Sequence, residues 1–245
     1  GPAAARDLGL KKAKGEYIFF FDVDDHIEQN TLTLLYNVAK QNNSDMVFCD
    51  KKWIEEFKNQ RENIFIYPAD KNFENSELVQ IMKERFYDPI SFSIFGLTGR
   101  LIKRSIITEN NIFFEKKLRY LEDETFIWDI LGYIKNISYV RKQLYSYYVK
   151  PNTNTALSEG IHKGYPIENF KLVKTHIQNS LKNKNFSSEE IEKLGDQALI
   201  YLIIRALVSY SRSIILGKVN LKEGIKCRKE IIDEIINDYD VSKAI

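Results

Sequence analysis

An uninterrupted apolar run that ends in three carboxylates constrains the fold most strongly. Residues 17–21 read Tyr-Ile-Phe-Phe-Phe, and Asp22, Asp24 and Asp25 follow them directly. Aromatic and β-branched residues without polar alternation are typical of a strand that is buried on both faces of a helix-covered sheet. In open α/β sheets, ligands bind beyond the carboxyl ends of the strands. The sequence therefore predicts an α/β fold with a ligand site at these aspartates.

The spacing of the three carboxylates indicates a cation. Negative charges this close repel one another, and hard oxygen ligands of this kind suit Mg²⁺ or Mn²⁺. Because Mg²⁺ takes few protein carboxylates and completes its shell with waters and phosphates, the Asp-x-Asp pattern predicts a metal shared with a nucleotide diphosphate. Alternatively, one aspartate caps the helix starting near Glu28 and the others are solvated turn residues. The residues alone favour neither interpretation.

Length, charge and cysteine content narrow the class of protein. The chain has 245 residues, enough for one large domain or for a domain with a helical appendix. It is 44% hydrophobic with a formal net charge of +2, so neither disorder nor electrostatic binding of nucleic acid is indicated. Cys49 and Cys227 are far apart in sequence and follow no pairing pattern. This argues against a disulfide scaffold or a zinc site and fits a reducing compartment.

Helical and extended segments alternate along the first part of the chain. The patterns predict a helix over residues 3–14, a strand over 17–21, a helix over 29–41 and a strand over 44–50. This alternation favours a mainly parallel sheet with helices on both faces. Residues 51–68 mix charged and aromatic side chains, which suits an exposed hairpin or an excursion from the sheet.

A second acidic cluster opens a helix in the middle of the chain. Apolar residues recur at helical spacing from Phe126 to Ile134, directly after Glu122, Asp123 and Glu124. Acidic residues at a helix N-terminus complement the macrodipole and cap free amides, which would explain all three without a function.

An apolar stretch upstream of this helix is broken by Gly96 and Gly99. These glycines either let the backbone approach a ligand closely or make a bend, and a bend is favoured.

The last part of the chain is predicted to be helical. After a strand over residues 137–149, helices are expected over 166–182, 188–216 and 220–237, with Gly195 and Gly217 as breaks. The apolar run within the second of these helices is short and contains arginines, whereas a membrane-spanning helix needs roughly 20 predominantly apolar residues. We therefore expect a core helix of a bundle in preference to a membrane-surface segment.

Three separated segments resemble family 2 glycosyltransferases with the GT-A fold. "GPAAARDLGLKKAKGEYIFFFDVDD", residues 1–25, resembles the family's Gly-x-x-x-Ala-Arg-Asn-x-Gly-Leu, Ala-x-Gly-Glu-Tyr-Ile and metal-site Asp-x-Asp-Asp patterns. "YLEDETF", residues 120–126, is similar to the family's Glu-Asp motif before a later helix. "LYSYYVKPNTNTALS", residues 144–158, resembles the Tyr-Tyr-x-(Arg/Lys) segment that ends the catalytic domain in many bacterial members.

The resemblance implies a GT-A-like, or Rossmann-like, α/β domain over residues 1–158 and a C-terminal helical region over residues 159–245. Family members place several tens of residues, including the first nucleotide-binding strands, before the segment with which this chain begins. A sheet without those strands would expose unpaired edges. We therefore expect the chain to be the later part of a longer enzyme.

The resemblance also implies roles for the residues near the donor. Asp24 and Asp22 correspond to the Asp-x-Asp pair. Asp24 would bind the metal directly and Asp22 would lie near the donor's ribose, while Asp25 would support both. Arg6 and Asp7 match the Arg-Asn positions near the nucleotide. Asp7 departs from the commoner Asn, and an ionised carboxylate accepts hydrogen bonds but does not donate them.

On the acceptor side, Asp123 matches the family's general base and Glu122 would orient the acceptor or the base. An inverting sugar transfer needs a base for the acceptor's proton and a metal that stabilises the departing diphosphate. By the same resemblance, Lys150, Asn154 and Thr155 would contact the donor diphosphate.

These roles imply a bacterial glycosyltransferase that uses Mn²⁺ or Mg²⁺ and a nucleotide sugar, with a UDP-sugar as the expected donor of a hexosyl or N-acetylhexosaminyl group. The expected acceptor is a cell-surface glycan, a lipid-linked glycan or a protein, and nucleic acid is not an expected partner. The expected location is the cytoplasm, at the inner face of the plasma membrane. The C-terminal helices would make peripheral membrane contact or a homo-oligomer.

Two alternatives stay open. The first is a non-catalytic carbohydrate- or partner-binding module whose acidic clusters are only caps and turns. The second is a nucleotidyltransferase, which would also use a metal and carboxylates but would release pyrophosphate.

Overall fold

The computed structural model describes residues 1–55, 60–63, 67–86, 95–118, 120–149, 167–215, 221–238 and 243–244. The chain divides into two compact units, Gly1–Thr153 and Asn154–Ile245. The predicted boundary after residue 158 lies outside the described residues and stays a prediction.

The first unit alternates helices with short strands. In chain order its elements are α1 (Pro2–Lys12), β1 (Tyr17–Phe19), β2 (His26–Ile27), α2 (Thr31–Asn42), β3 (Met46–Glu55), β4 (Gln60–Asn63), β5 (Lys71–Phe73), α3 (Asn75–Glu84), β6 (Arg100–Lys103), α4 (Arg104–Glu109), α5 (Glu122–Leu131) and β7 (Ile137–Val149). The predicted α/β class and the strand over residues 137–149 are confirmed.

The strands form one sheet in the order β1-β6-β3-β7-β2, with β4 beside β3 and β5 beside β7. Only β3 and β7 pair in parallel among the described strands, and the other pairs are antiparallel. The expectation of a mainly parallel sheet is therefore corrected to a mixed sheet. Strands β1, β3 and β7 do point the same way, but β6 lies between β1 and β3 and runs in the opposite direction.

The apolar run that opens the site is shorter as a strand than its composition predicts. Strand β1 ends at Phe19 and is only half-buried, because it lies at the end of the sheet and pairs with β6 alone among the described strands. Phe20 turns instead into a cluster of three rings, in which its centroid lies 5.5 Å from that of Phe114 and 5.5 Å from that of Phe126. Phe114 and Phe126 stack at 4.0 Å. The prediction of a buried strand over residues 17–21 is thus wrong in length and burial. Phe20 packs in the core beneath the carboxylates instead.

Helix α5 lies in the core of the first unit. Its apolar residues are almost completely buried: Phe126, Ile127, Trp128, Ile130 and Leu131. A second group of buried side chains joins α2 to the sheet through Leu35, Ala39, Val47, Cys49 and Val140. These contacts fix the positions of α5 and of the strand ends, which carry the acidic residues.

The second unit consists of helices α6 (Ile167–Asn183), α7 (Ser188–Ile215) and α8 (Leu221–Asn237). Helix α7 continues through Gly195, so the break predicted there is wrong, while Gly217 lies outside the described residues. A Cβ atom at Gly195 would lie only 2.8 Å from the Nε2 atom of Gln178. The glycine therefore permits close packing of α7 on α6. Within the described residues, none of the helices is long and apolar enough to span a membrane.

The three-ring cluster gives a stability prediction with a neighbouring control. Phe114→Ala removes a ring that is 2% exposed and stacked on Phe126, and we expect it to lower the free energy of unfolding by about 3–5 kcal/mol. Phe113→Ala removes an adjacent ring that is 48% exposed, and we expect a cost below about 1 kcal/mol. Urea denaturation of both variants measures the difference, and equal losses would show that the cluster does not anchor this segment.

Candidate active site

Arg6 joins the two acidic clusters that the sequence separates by about a hundred residues. Its Nη1 atom donates to Oε1 of Glu122 at 3.1 Å, and its Nη2 atom donates to Oδ1 of Asp22 at 3.3 Å. The guanidinium lies 5.6 Å above the ring of Phe114, over the three-ring cluster. Helix α1 therefore supplies a cation that holds the turn after β1 close to the start of α5.

The turn that carries the first acidic cluster is fastened to β7 through Asp25. The Tyr145 hydroxyl donates to Oδ2 of Asp25, and the backbone amide of Tyr148 donates to its Oδ1 atom at 3.3 Å. The same hydroxyl accepts from the backbone amide of Asp22 at 3.4 Å. Burial raises the pKa of Asp25 above its usual value, although these two hydrogen bonds oppose the change. Asp25 thus shapes the turn, as its supporting role would require.

The turn leaves its other two carboxylates accessible. Asp24 is exposed, and the side chain of Asp22 is 38% exposed while it pairs with Arg6. No group of three or more His, Cys, Asp or Glu side chains among the described residues is arranged to hold a metal. A site of this kind fits an ion that takes one or two protein carboxylates and shares its remaining positions with substrate oxygens and water.

The second acidic cluster lies at the first turn of α5. The preceding Leu121 has φ = 67°, a left-handed conformation that is strained for a residue other than glycine. Within that turn, the Oδ1 atom of Asp123 accepts a hydrogen bond from the amide of the next residue, Glu124, at 2.8 Å. Burial raises the pKa of Glu122, and the charge of Asp123 raises it further.

Asp7 has a different environment from the other predicted site residues. Its buried Oδ1 atom accepts from the backbone amide of Phe114 at 3.0 Å, and the Nζ atom of Lys116 lies 4.0 Å from its other oxygen. A carboxylate suits this accepting role, and it ties α1 to the segment before α5. The structure therefore brings together Arg6, Asp22 and Glu122 by direct contacts, whereas Asp7 bonds elsewhere. The predicted donor contacts Lys150, Asn154 and Thr155 lie outside the described residues.

Sequence reasoning missed a cationic group beside these carboxylates. The Nζ atom of Lys51 donates to Oγ1 of Thr98 at 2.7 Å and lies 5.6 Å above the ring of Tyr145. Arg100 donates to the carbonyl oxygen of Thr98 and lies 5.7 Å over the ring of Phe48. One signal was present, because Lys51 follows the apolar segment of the second predicted strand. Its neighbours, however, come from residues about fifty positions later in the chain.

The two glycines of the apolar stretch make room for this lysine. A Cβ atom at Gly99 would lie 3.3 Å from Cε of Lys51, and one at Gly96 would lie 3.6 Å from its Nζ atom. Gly99 also has φ = 73°, which glycine adopts without strain. The favoured interpretation as a bend is therefore confirmed at Gly99, and the bend also accommodates a side chain.

Burial alters the acid–base properties of both cations. It lowers the pKa of Lys51 to about 7, with the nearby charge of Arg100 lowering it further and those of Asp123 and Asp25 opposing the change. Burial also lowers the pKa of Arg100 to about 10. Lys51, Arg100 and Asp25 are thus three neighbouring groups whose charged forms burial opposes, and pKa values perturbed in this way are common at functional sites.

Comparison with known proteins relates this chain to glycosyltransferases. Residues 1–110 match the model of Glycosyl transferase family 2. The chain is 30% identical over 176 residues to a cholesterol galactosyltransferase of Borreliella burgdorferi, covering 66% of this chain and 46% of that protein. It is 34% identical over 149 residues to the poly(ribitol-phosphate) β-N-acetylglucosaminyltransferase TarP of Staphylococcus aureus, covering 60% and 41%. The predicted resemblance to family 2 glycosyltransferases is therefore confirmed over residues 1–110.

The fold comparison agrees with this assignment. The crystal structure of S. aureus TarS residues 1–349 in complex with UDP-GlcNAc matches with a TM-score of 0.63 and 20% identity, covering 96% of this chain and 61% of that one. The fold is GT-A-like with a C-terminal helical region, and the predicted fold class is confirmed. The chain spans less than half the length of the two curated relatives.

The environment of Glu122 gives a prediction about pH. Because its folded-state pKa is raised, protonation of Glu122 favours the folded state, and this contribution is lost as the pH rises through that raised pKa. Glu122→Gln resembles the protonated form. We expect it to be more stable than the natural protein at pH 7 and to lose that advantage at pH 4, as measured by thermal unfolding.

Glu109→Gln serves as the control, since this side chain is exposed at the end of α4. It should give no comparable pH-dependent difference. If Glu122→Gln were less stable at pH 7 by the same margin as at pH 4, the bond to Arg6 would outweigh the burial of the charge.

Proposed function

We propose that this chain is part of a metal-dependent, inverting glycosyltransferase that moves a sugar from a nucleotide-sugar donor to a cell-surface glycan, a lipid-linked acceptor or a protein. The observation that carries the proposal is the pair of contacts from Arg6 to Asp22 and Glu122. These contacts hold the two acidic clusters close together. The proposed reaction needs two acidic sites with different tasks, one for the metal and one for the acceptor's proton.

The acceptor side of the reaction belongs to Asp123 and Glu122. Asp123 takes the proton of the acceptor hydroxyl as its oxygen forms a bond to the anomeric carbon. The bond between that carbon and the diphosphate oxygen breaks in the same step, and the nucleoside diphosphate leaves with the electron pair. Attack from the face opposite the leaving group inverts the anomeric carbon. Glu122, fixed by Arg6 at 3.1 Å, orients the base and the acceptor.

The donor side belongs to the turn over residues 22–25. Asp24 and Asp22 would hold Mn²⁺ or Mg²⁺, and such an ion, when bound, supplies positive charge to the departing diphosphate. Asp25 keeps the turn in place through Tyr145 and Tyr148. Arg6 and Asp7 near the nucleotide, and Lys150, Asn154 and Thr155 at the diphosphate, complete the proposed donor contacts.

Relatives support a UDP-sugar as donor of a hexosyl or N-acetylhexosaminyl group. Their names describe transferases of galactosyl, N-acetylglucosaminyl and glucosyl groups, the last being the poly(ribitol-phosphate) β-glucosyltransferase of Bacillus spizizenii. The similar TarS structure is a complex with UDP-GlcNAc, a nucleotide sugar of this kind. The two poly(ribitol-phosphate) transferases among them favour a cell-envelope polymer as the product. The proposed place of synthesis is the inner face of the plasma membrane.

The C-terminal helices are proposed to contact a membrane surface or a second copy of the chain. Helix α8 exposes apolar side chains at Leu221, Ile225, Ile232 and Ile236, which share one side of the helix. An exposed apolar stripe of this kind supports a binding role for the helix.

The decisive experiment follows nucleoside diphosphate release and sugar transfer by the full-length protein against a panel of UDP-sugars with Mn²⁺. We expect Asp24→Ala to abolish metal-dependent UDP release. Asp123→Asn should lower the rate of transfer by about 10²–10⁴-fold, the usual contribution of a general base, with little change in donor affinity. Glu109→Gln, an exposed acidic control, should leave both rates unchanged.

The same assay separates the alternatives. Pyrophosphate release would indicate a nucleotidyltransferase. Transfer that survives Asp123→Asn would remove this residue from the proposed mechanism. Failure of the protein to bind or turn over any nucleotide sugar with any metal would favour the binding module.

A further inference from the structure

Lys51 differs in its charge partners from Arg6 and Arg85, two other inward-facing cations of the first unit. Arg6 pairs with Asp22 and Glu122, and Arg85 pairs with Glu124 at 3.0 Å. The next residue on the same strand, Lys52, pairs with Glu28 at 2.9 Å. In the part of the chain that the structure describes, no carboxylate oxygen lies within 4.0 Å of the Lys51 ammonium, which donates instead to the neutral hydroxyl of Thr98.

The backbone around Lys51 holds this arrangement in place. The pairing of β3 with β7 shifts its register on both sides of Asp50, which is a local bulge. Asp50, the carboxylate nearest in sequence, is buried and accepts from the Tyr139 hydroxyl at 2.6 Å. Bulges beside active sites commonly re-aim a side chain, and here Lys51 extends over Gly96 and Gly99 toward Tyr145.

A second cation, Arg100, lies close to the Lys51 ammonium. A Cβ atom at Gly96 would lie within 3.8 Å of both the Lys51 ammonium and the Arg100 guanidinium. Asp25 and Asp123 act on Lys51 through space but make no ion pair with it. Both carboxylates already accept hydrogen bonds, from Tyr145 and from the amide of Glu124.

We infer that Lys51, together with Thr98 and Arg100, forms an oxyanion subsite that takes a phosphate group of a substrate. This inference rests on the proposed function and adds a second recognition element to the same site. Two neighbouring cations and a hydroxyl match the charge and hydrogen-bonding capacity of a phosphate, and charge-assisted hydrogen bonds in a buried setting are strong. The phosphate belongs either to the donor diphosphate or to a phosphate-bearing acceptor.

The first test measures binding of inorganic pyrophosphate to the full-length protein by calorimetry. We expect Lys51→Met to weaken binding about tenfold or more, as expected for loss of one charge-assisted hydrogen bond. Lys52→Met is the matched control, because this neighbour pairs with the partly exposed Glu28. It should change the affinity less than about twofold. Pyrophosphate affinity unchanged by Lys51→Met would overturn the subsite.

Two further titrations identify the source of the phosphate. Weaker binding of UDP, with uridine unaffected, would assign the subsite to the donor diphosphate. Weaker binding of glycerol 3-phosphate, with UDP unaffected, would assign it to the acceptor. These measurements do not depend on turnover, so they distinguish failure of the subsite from failure of the proposed glycosyltransferase activity.

Thermal unfolding of the same variant checks that it folds and that Lys51 has no stabilising carboxylate partner. The pKa of Lys51 falls to about 7 in the folded state, so the cost of burying its charge is fully present below pH 7 and disappears as the pH rises toward the usual lysine value. Lys51→Met should therefore raise Tm, and by more at pH 6 than at pH 10. A lower Tm at both pH values would mean that Lys51 is a paired structural cation, contrary to the inference.

Discussion

The Arg6 guanidinium is the contact on which the arrangement of the site depends. It balances the charge of Asp22 on one side and of Glu122 on the other, and it rests on the Phe114 ring. Without it, two buried or half-buried carboxylates from distant parts of the chain would repel each other. The cation therefore makes the close approach of the two acidic clusters possible. The three-ring cluster beneath it supports the position of the guanidinium.

Around this contact, hydrogen bonds hold some of the charged side chains, and burial opposes the charged forms of others. Asp7 and Asp25 each accept backbone hydrogen bonds and hold segments together. Burial opposes the charged forms of Glu122 and of the half-buried Lys51, and it also raises the pKa of Asp25 despite its hydrogen bonds. Natural proteins tolerate such costs mainly where function needs a particular charge.

The sequence predicted many elements well, for physical reasons that are local. The strand over residues 137–149 and the helix beginning at Glu122 follow directly from apolar periodicity and from acidic residues at the helix start. The sheet was harder to predict. Nothing local indicates that β6 inserts between β1 and β3, or that Phe20 leaves the strand to pack on Phe114. Those outcomes depend on contacts between residues far apart in sequence.

The sequence by itself determined which residues could carry the chemistry: two acidic clusters, each following or opening a regular element, and an arginine near the start of the chain. Only the tertiary structure decided that Arg6 bridges those clusters and that Lys51 lies beside them against Thr98 and Tyr145. The reason is that composition and spacing specify what a segment can form, whereas the cost of burying a charge depends on which distant groups surround it.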